Sequence, residues 1–147
     1  MQYITKSEEE LIKLGYKIAK NFKAGDIVLL EGDLGAGKTT ITKGIAKYFG
    51  IKKNITSPTF TLLNIYQPSK MSFLHRRKSI TQLVHIDTYR LEDEKNLIEI
   101  GAEDYLGDEK TICLIEWPEK IKNLLKNKNT KTIKIKHLDN NRKIMID

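Results

Sequence analysis

The sequence predicts an α/β fold, a three-layer α/β/α sandwich whose central sheet is largely parallel, with antiparallel strands added at an edge. Three observations predict it. Short continuous apolar runs, Asp26-Ile-Val-Leu-Leu-Glu31 and Thr111-Ile-Cys-Leu-Ile-Glu116, have the pattern of strands covered on both faces. Segments with apolar residues at helical spacing alternate with such runs, the arrangement that builds parallel sheets. A glycine-rich stretch, Gly32-Asp-Leu-Gly-Ala-Gly-Lys-Thr39, joins the first run to the helix after it.

Taken in order, Ser7-Glu8-Glu9-Glu10 is a capping box ahead of Leu11, Leu14, Ile18 and Phe22, whose spacing lays one apolar stripe along a first helix ending near Ala24-Gly25. The strand 26–31 and the glycine loop follow. Ile41, Ile45 and Phe49 recur at helical spacing before Gly50, which predicts a helix over 38–49. Residues 59–66 and 82–87 read as strands, joined by a surface loop or hairpin insert that contains Pro68 and four bases. A helix over 94–106, the strand 111–116, and a terminal pair of strands over 130–138 and 143–146 complete the reading. No internal repeat and no domain boundary interrupts it, so residues 1–147 are expected to form one P-loop domain.

Composition bounds the function classes. A chain of 147 residues can bury a core without disulfides or structural metals, and its only cysteine, Cys113, excludes a disulfide framework within one chain. No run approaches the ~20 apolar residues of a membrane span, and the N-terminus has no apolar core behind a basic end. These features predict a soluble, unprocessed, cytoplasmic protein with no membrane partner. The net charge of +7 is two-sided: residues 92–109 hold eight acids and one lysine, whereas residues 120–147 hold nine bases and two acids. The basic end fits either an RNA-facing side or a solvated surface.

The glycine stretch matches G-x-x-x-x-G-K-[ST] in full and lies between a predicted strand and a predicted helix, the context a P-loop requires. Its backbone N–H groups can curl around phosphate oxygens, and the helix N-terminus adds partial positive charge. Asp33, Leu34, Gly35, Ala36, Gly37, Lys38, Thr39 and Thr40 are therefore the predicted nucleotide cradle. Lys38 would reach the β- and γ-phosphates, and the Thr39 hydroxyl would hold a magnesium ion. Asp87 and Glu116 each end an apolar strand at the sheet's carboxyl edge, the rim that carries the loop, where an acid can hold the metal or its water or can serve as a helix cap. Glu116 follows the stronger apolar run and is the favoured metal ligand. His85 and Asp87 point the same way along a strand, as a proton relay or with His85 as a structural histidine. Trp117 is either a stacking platform for a base or a core residue at a strand-to-helix corner.

Guanine specificity is unsupported, because the nearest match to N-K-x-D, Asn127-Lys128-Asn129-Thr130, lacks the aspartate. A small-molecule P-loop kinase remains the alternative, with His75-Arg76-Arg77-Lys78 as a lid. A nucleic-acid-binding module using the basic end is a third reading.

The motifs GDLGAGKTT (32–40), SPTFTL (57–62), Tyr66, HIDTYRL (85–91) and IEWPE (115–119) together resemble the TsaE family, formerly YjeE. The resemblance implies an ATPase, weak alone, that works with the TsaD and TsaB proteins in threonylcarbamoyladenosine modification of tRNA, resetting or activating their assembly. Contact with tRNA itself would be weak or indirect. It further implies that Lys38 and Thr39 bind phosphate and magnesium, that Thr59 acts as a switch residue, that Asp87 and Glu116 are required with Glu116 a magnesium ligand, and that Trp117 lies near the site. The departure is residues 67–82, which are longer and more basic than the family leads one to expect.

Overall fold

The computed structural model describes residues 1–69 and 80–147. The proposed lid at 75–78 lies outside the described residues. Strand β1 (Gln2–Thr5) and helix α1 (Glu8–Ala19) open the chain, β2 (Ile27–Glu31) enters the glycine loop and α2 (Lys38–Tyr48) leaves it. Next come β3 (Leu63–Tyr66), β4 (Gln82–Asp87), the short helix α3 (Lys95–Glu99) and a 3₁₀ turn at Ala102–Tyr105. Strand β5 (Thr111–Glu116) precedes a second 3₁₀ turn, Pro118–Ile121, and the one-turn helix α4 (Lys122–Leu125). The hairpin of β6 (Thr130–Leu138) and β7 (Asn141–Ile146) follows.

One seven-stranded sheet, ordered β1-β7-β6-β2-β5-β4-β3, runs through the described residues. Its middle strands β6, β2, β5 and β4 are parallel. The expected antiparallel additions are present, and at both edges: β3 on β4, and β7 on β6 with β1 outside it. Helices α1 and α2 cover one face, where Leu11, Leu14, Ile18, Ile41 and Ile45 meet Val28, Leu30, Ile112, Leu114, Ile133 and Ile135. On the other face Leu97, Ala102, Leu106 and Ile121 close over Ile27, Val84, Ile86, Cys113 and Ile115. The three layers expected from the sequence are thus present, the second helical layer being built of short pieces.

The period of two along each strand decides which side chains reach the site. Leu83 on β4 and Ile112 and Leu114 on β5 face α1 and α2. His85, Asp87 and Glu116 continue those rows toward the strand ends and therefore emerge on the α2 side, beside the glycine loop. Helix α2 is held there by close packing against α1: a Cβ on Gly44 would sit 2.1 Å from the Ile12 carbonyl oxygen, and one on Gly15 would sit 2.4 Å from that of Ile41. Ile41 and Ile45 are fully buried beneath this crossing. Truncating either to alanine would cost about 2–5 kcal/mol, enough to loosen the helix that carries Lys38 and Thr39.

Several boundaries differ from the sequence reading, each for a local reason. The first helix stops at Ala19, short of the expected Ala24-Gly25. Its cap differs in one detail: the Glu10 N–H donates to Ser7 Oγ at 3.1 Å, while the Glu10 carboxylate accepts from Lys6 N–H, one residue before the expected partner. The helix expected over 94–106 is broken at Gly101, whose φ of 75° ends α3 and starts the 3₁₀ turn. The strand expected from Thr59 begins only at Leu63, because Leu62 takes a left-handed conformation (φ 64°) and its N–H returns to the Pro58 carbonyl in a turn. Strand β1 was not anticipated. It adds only four residues at the sheet edge, too few to show a period.

Candidate active site

The glycine loop runs from the end of β2 to the first turn of α2 and is wedged between the sheet and α1. At Gly32 a Cβ would lie 2.4 Å from the Ile135 carbonyl oxygen of β6. At Gly37 (φ 110°) it would lie 2.5 Å from Leu11 Cδ2, so both space and backbone conformation require glycine there. Arg142, reaching over from β7, braces the loop by donating from Nε to the Ala36 carbonyl at 3.1 Å.

A cleft of about 360 Å³ opens above this loop, walled by loop residues on one side and by Ser57, Thr59, Asp87, Tyr89, Glu116 and Trp117 on the other. Of the predicted cradle, Leu34, Gly35, Gly37, Lys38, Thr39 and Thr40 line it. Asp33 and Ala36 do not: the Asp33 side chain is exposed, and Ala36 is buried in the core beneath the loop. Their backbones remain part of the loop.

Lys38 is buried, and its ammonium donates to the carbonyls of Gly32 (2.6 Å) and Asp33 (2.9 Å) while lying 4.1 Å from the Trp117 ring centre. Burial pushes its pKa below the ordinary lysine value, against the opposing pull of Glu116, Asp87, Glu119 and Asp33. Trp117 is presented by a sharp backbone turn just past β5, where its φ is 59°. The Thr88 hydroxyl pins that turn by donating toward the Trp117 and Glu116 carbonyls at 2.6 and 3.1 Å. Its ring packs against Tyr89 with centres 5.0 Å apart. Trp117 is half-buried, with its face toward the cleft rather than the core.

Two carboxylates, directly opposite each other on β4 and β5, organise the far wall. Glu116 Oε1 accepts from the Thr39 hydroxyl and from His85 Nε2, both at 2.9 Å. Asp87 Oδ2 accepts from Ser57 (2.8 Å) and Thr59 (2.7 Å), and its Oδ1 accepts from the Tyr89 N–H (2.9 Å). His85 and Asp87 do share a strand face, but the histidine is directed to Glu116 and the aspartate to the 57–59 segment. The structure thus brings Lys38, Thr39, Thr59, Asp87, Glu116 and Trp117 to one cleft.

The partners of three contributors are not legible in the sequence. Ser57 stands in the quoted SPTF stretch, and only the fold shows it sharing Asp87 with Thr59. Arg142, a candidate ATP contact from the sequence, does not line the cleft and instead donates to the Ala36 carbonyl; no local pattern links it to a loop more than a hundred residues away. For His85, a strand's period gives a side, not a partner.

The oxygen donors suit magnesium. That ion takes one or two protein oxygens beside phosphate and water, and the Thr39 hydroxyl and Glu116 carboxylate are such a pair. No cluster of three or more His, Cys, Asp or Glu capable of holding a metal unaided occurs among the described residues.

A family profile described as threonylcarbamoyl adenosine biosynthesis protein TsaE matches residues 5–144. The tRNA threonylcarbamoyladenosine biosynthesis protein TsaE of Rickettsia conorii is 41% identical over 139 residues, covering 94% of this chain and 72% of that protein. The protein of the same name from Treponema pallidum is 35% identical over 99% of both chains. A crystal structure of Bacillus subtilis YdiB superposes with a TM-score of 0.77 at 31% identity, over 99% of this chain and 83% of that one. With a P-loop fold, a nucleotide-sized cleft on the loop and this profile spanning nearly its whole length, the chain belongs to the TsaE family.

Proposed function

We propose that the protein is a magnesium-dependent ATPase, weak alone, that serves tRNA threonylcarbamoyladenosine biosynthesis by acting on the TsaD–TsaB assembly. The observation that carries this reading is the convergence of Lys38, Thr39, Asp87 and Glu116 on one cleft above a complete P-loop. Family membership supports the pathway, and the geometry supports the chemistry.

Residue roles follow from position. Lys38 exchanges its two carbonyl partners for the β- and γ-phosphate oxygens. The loop N–H groups and the N-terminus of α2 cradle the remaining phosphate charge. Thr39 and Glu116 would hold a magnesium ion, which would supply charge neutralisation as the β–γ bond breaks. Asp87 orients Thr59 and Ser57 at the phosphate terminus, so that water is aligned and the chemistry rests on positioning and charge rather than on a covalent intermediate.

The two arginines among the described residues support slow turnover. Arg90 lies with its guanidinium 4.5 Å from the Phe60 ring centre, and Arg142 is engaged with Ala36, so neither lines the cleft. An arginine supplied to the transferring phosphoryl group is worth about 10³–10⁵ in rate, and a partner complex could provide such a group. Direct contact with tRNA is weak in this reading. No helix among the described residues is long and apolar enough to cross a membrane; the proposed site of action, the cytoplasm, follows the tRNA pathway.

The test is magnesium-dependent phosphate release from ATP, with and without TsaD and TsaB of the same organism. A rise with the partners that Lys38→Ala abolishes supports the proposal. Absence of hydrolysis in both mixtures, with ATP binding intact, overturns it.

A further inference from the structure

His85 is fully buried on β4, and its two ring nitrogens are treated very differently. Nε2 lies 2.9 Å from Glu116 Oε1, whereas Nδ1 is buried and has no hydrogen-bond partner among the described residues. As packing alone this is a poor arrangement, because an apolar side chain of similar shape would fill the same space without stranding a polar atom. The compensation must come from the Nε2 contact.

An ionised carboxylate only accepts, so the histidine proton sits on Nε2 and Nδ1 carries the bare lone pair. Thr39 donates to the same Oε1. Two donors therefore converge on one oxygen of Glu116. Its Oε2 has no protein hydrogen bond among the described residues, and the residue lines the cleft. His85 sits one strand over and two positions back from Glu116 in the β4–β5 register, on backbone fixed by the central sheet. Thr39, by contrast, is a residue that ligand chemistry recruits. Its hydroxyl would have to reorient about the metal, whereas His85 is a donor held fixed on the sheet.

We infer that His85 is a positioning residue, whose Nε2–H fixes the Glu116 carboxylate so that Oε2 faces the cleft and presents itself to the nucleotide-bound metal. This rests on the ATPase reading of the site. It assigns to His85 neither proton transfer nor contact with substrate.

The experiment compares His85→Phe, which keeps a planar ring without a donor, with His85→Gln, whose amide can still donate to Glu116. Lys38→Ala and Glu116→Gln serve as controls. Nucleotide affinity is measured with excess magnesium and with chelator, alongside phosphate release. In His85→Phe, hydrolysis falls and the magnesium needed for half-maximal effect rises, each by about 10- to 100-fold, the usual consequence of losing the partner that orients a metal ligand. Affinity in chelator stays native, and His85→Gln recovers most of both losses. Histidine ¹⁵N spectra of the unsubstituted protein should show a proton on Nε2 of His85.

Native magnesium dependence and hydrolysis in His85→Phe, beside an inactive Glu116→Gln, overturn this inference alone. Native hydrolysis in Glu116→Gln and Lys38→Ala overturns the ATPase reading and the inference with it. Should His85→Phe fail to fold, an Nδ1–H tautomer in the unsubstituted protein overturns the inference by itself.

Discussion

The Lys38 ammonium is capped by the Trp117 ring, 4.1 Å from its centre, while it donates to the two carbonyls at the start of its own loop. A lysine in this posture already spends two of its three N–H donors on carbonyls and has a ring against it. Nucleotide binding must therefore move the ammonium, the indole or both. Trp117 is the chain's only tryptophan, so the emission reports this one event. ATP should shift or quench the fluorescence saturably. Lys38→Ala should lose that response together with at least an order of magnitude in affinity, because it removes a charge-assisted contact of about 1.5–3 kcal/mol. An unchanged spectrum at saturating ATP would mean that the lysine and indole keep their stacked arrangement with ligand bound.

Burial of Lys38 predicts an alkaline limit to binding. Its folded pKa lies below the ordinary 10.5, so between those two values the unfolded chain retains a proton that the folded chain has released. Across that window this group makes the folded state more stable as pH rises. Binding has the opposite sign, since phosphate needs the ammonium. ATP affinity titrated from neutral pH upward should therefore fall before pH 10.5, and Lys38→Met should bind weakly with no such fall.

The middle of the fold was legible because its signals are local. The strands at 82–87 and 111–116 fall where their apolar runs predicted, and the loop between β2 and α2 follows from glycine spacing alone. The sheet order was not legible, because the pairing of Ile27 with Thr130 joins residues about a hundred positions apart. The helix after Leu91 was overextended because apolar spacing continues through Gly101, whose backbone conformation stops it. Within the cleft, the placement of Asp87 and Glu116 was readable from where the strands end. The division of labour, with His85 on Glu116 and Ser57 on Asp87, was not, since it depends on which neighbour lies one strand away.

Cys113 offers a check on the core. Burial beneath the α3 layer pushes its thiol up to about 12 from 9.0, and Sγ lies 3.0 Å from the Tyr105 carbonyl. The folded protein should resist alkylation at mildly alkaline pH and react only at the rate at which it opens. Between pH 9.0 and about 12 the unfolded chain ionises this thiol while the folded chain keeps the proton, so the cysteine lowers folding stability there as pH rises. Cys113→Val should remove that component of the alkaline loss in a denaturant titration.

Asp87 is the hub through which the 57–59 segment is tied to the sheet. Its carboxylate takes two hydroxyl donors on Oδ2 and a backbone donor on Oδ1, and the residue is buried. The Ser57 and Thr59 hydroxyls also lie 2.6 Å from each other, so these two and Asp87 Oδ2 form one hydrogen-bonded cluster sharing two protons. Asp87→Asn keeps the shape and removes the charge. An amide offers one oxygen where the carboxylate offered two, so at least one donor is stranded, at about 1–3 kcal/mol. That strain falls on a turn rather than on the core, and the expected result is faster amide exchange over residues 56–62 with little change elsewhere. Hydrolysis should fall by about 100-fold, because the group that aligns Thr59 is lost, while ATP affinity, set by the loop and Lys38, changes severalfold at most. Comparable losses of affinity and turnover would instead make Asp87 part of the phosphate cradle. Native exchange over 56–62 would show that the segment is held by its own turn, the Leu62 N–H to Pro58 carbonyl bond of 2.7 Å, and not by the aspartate.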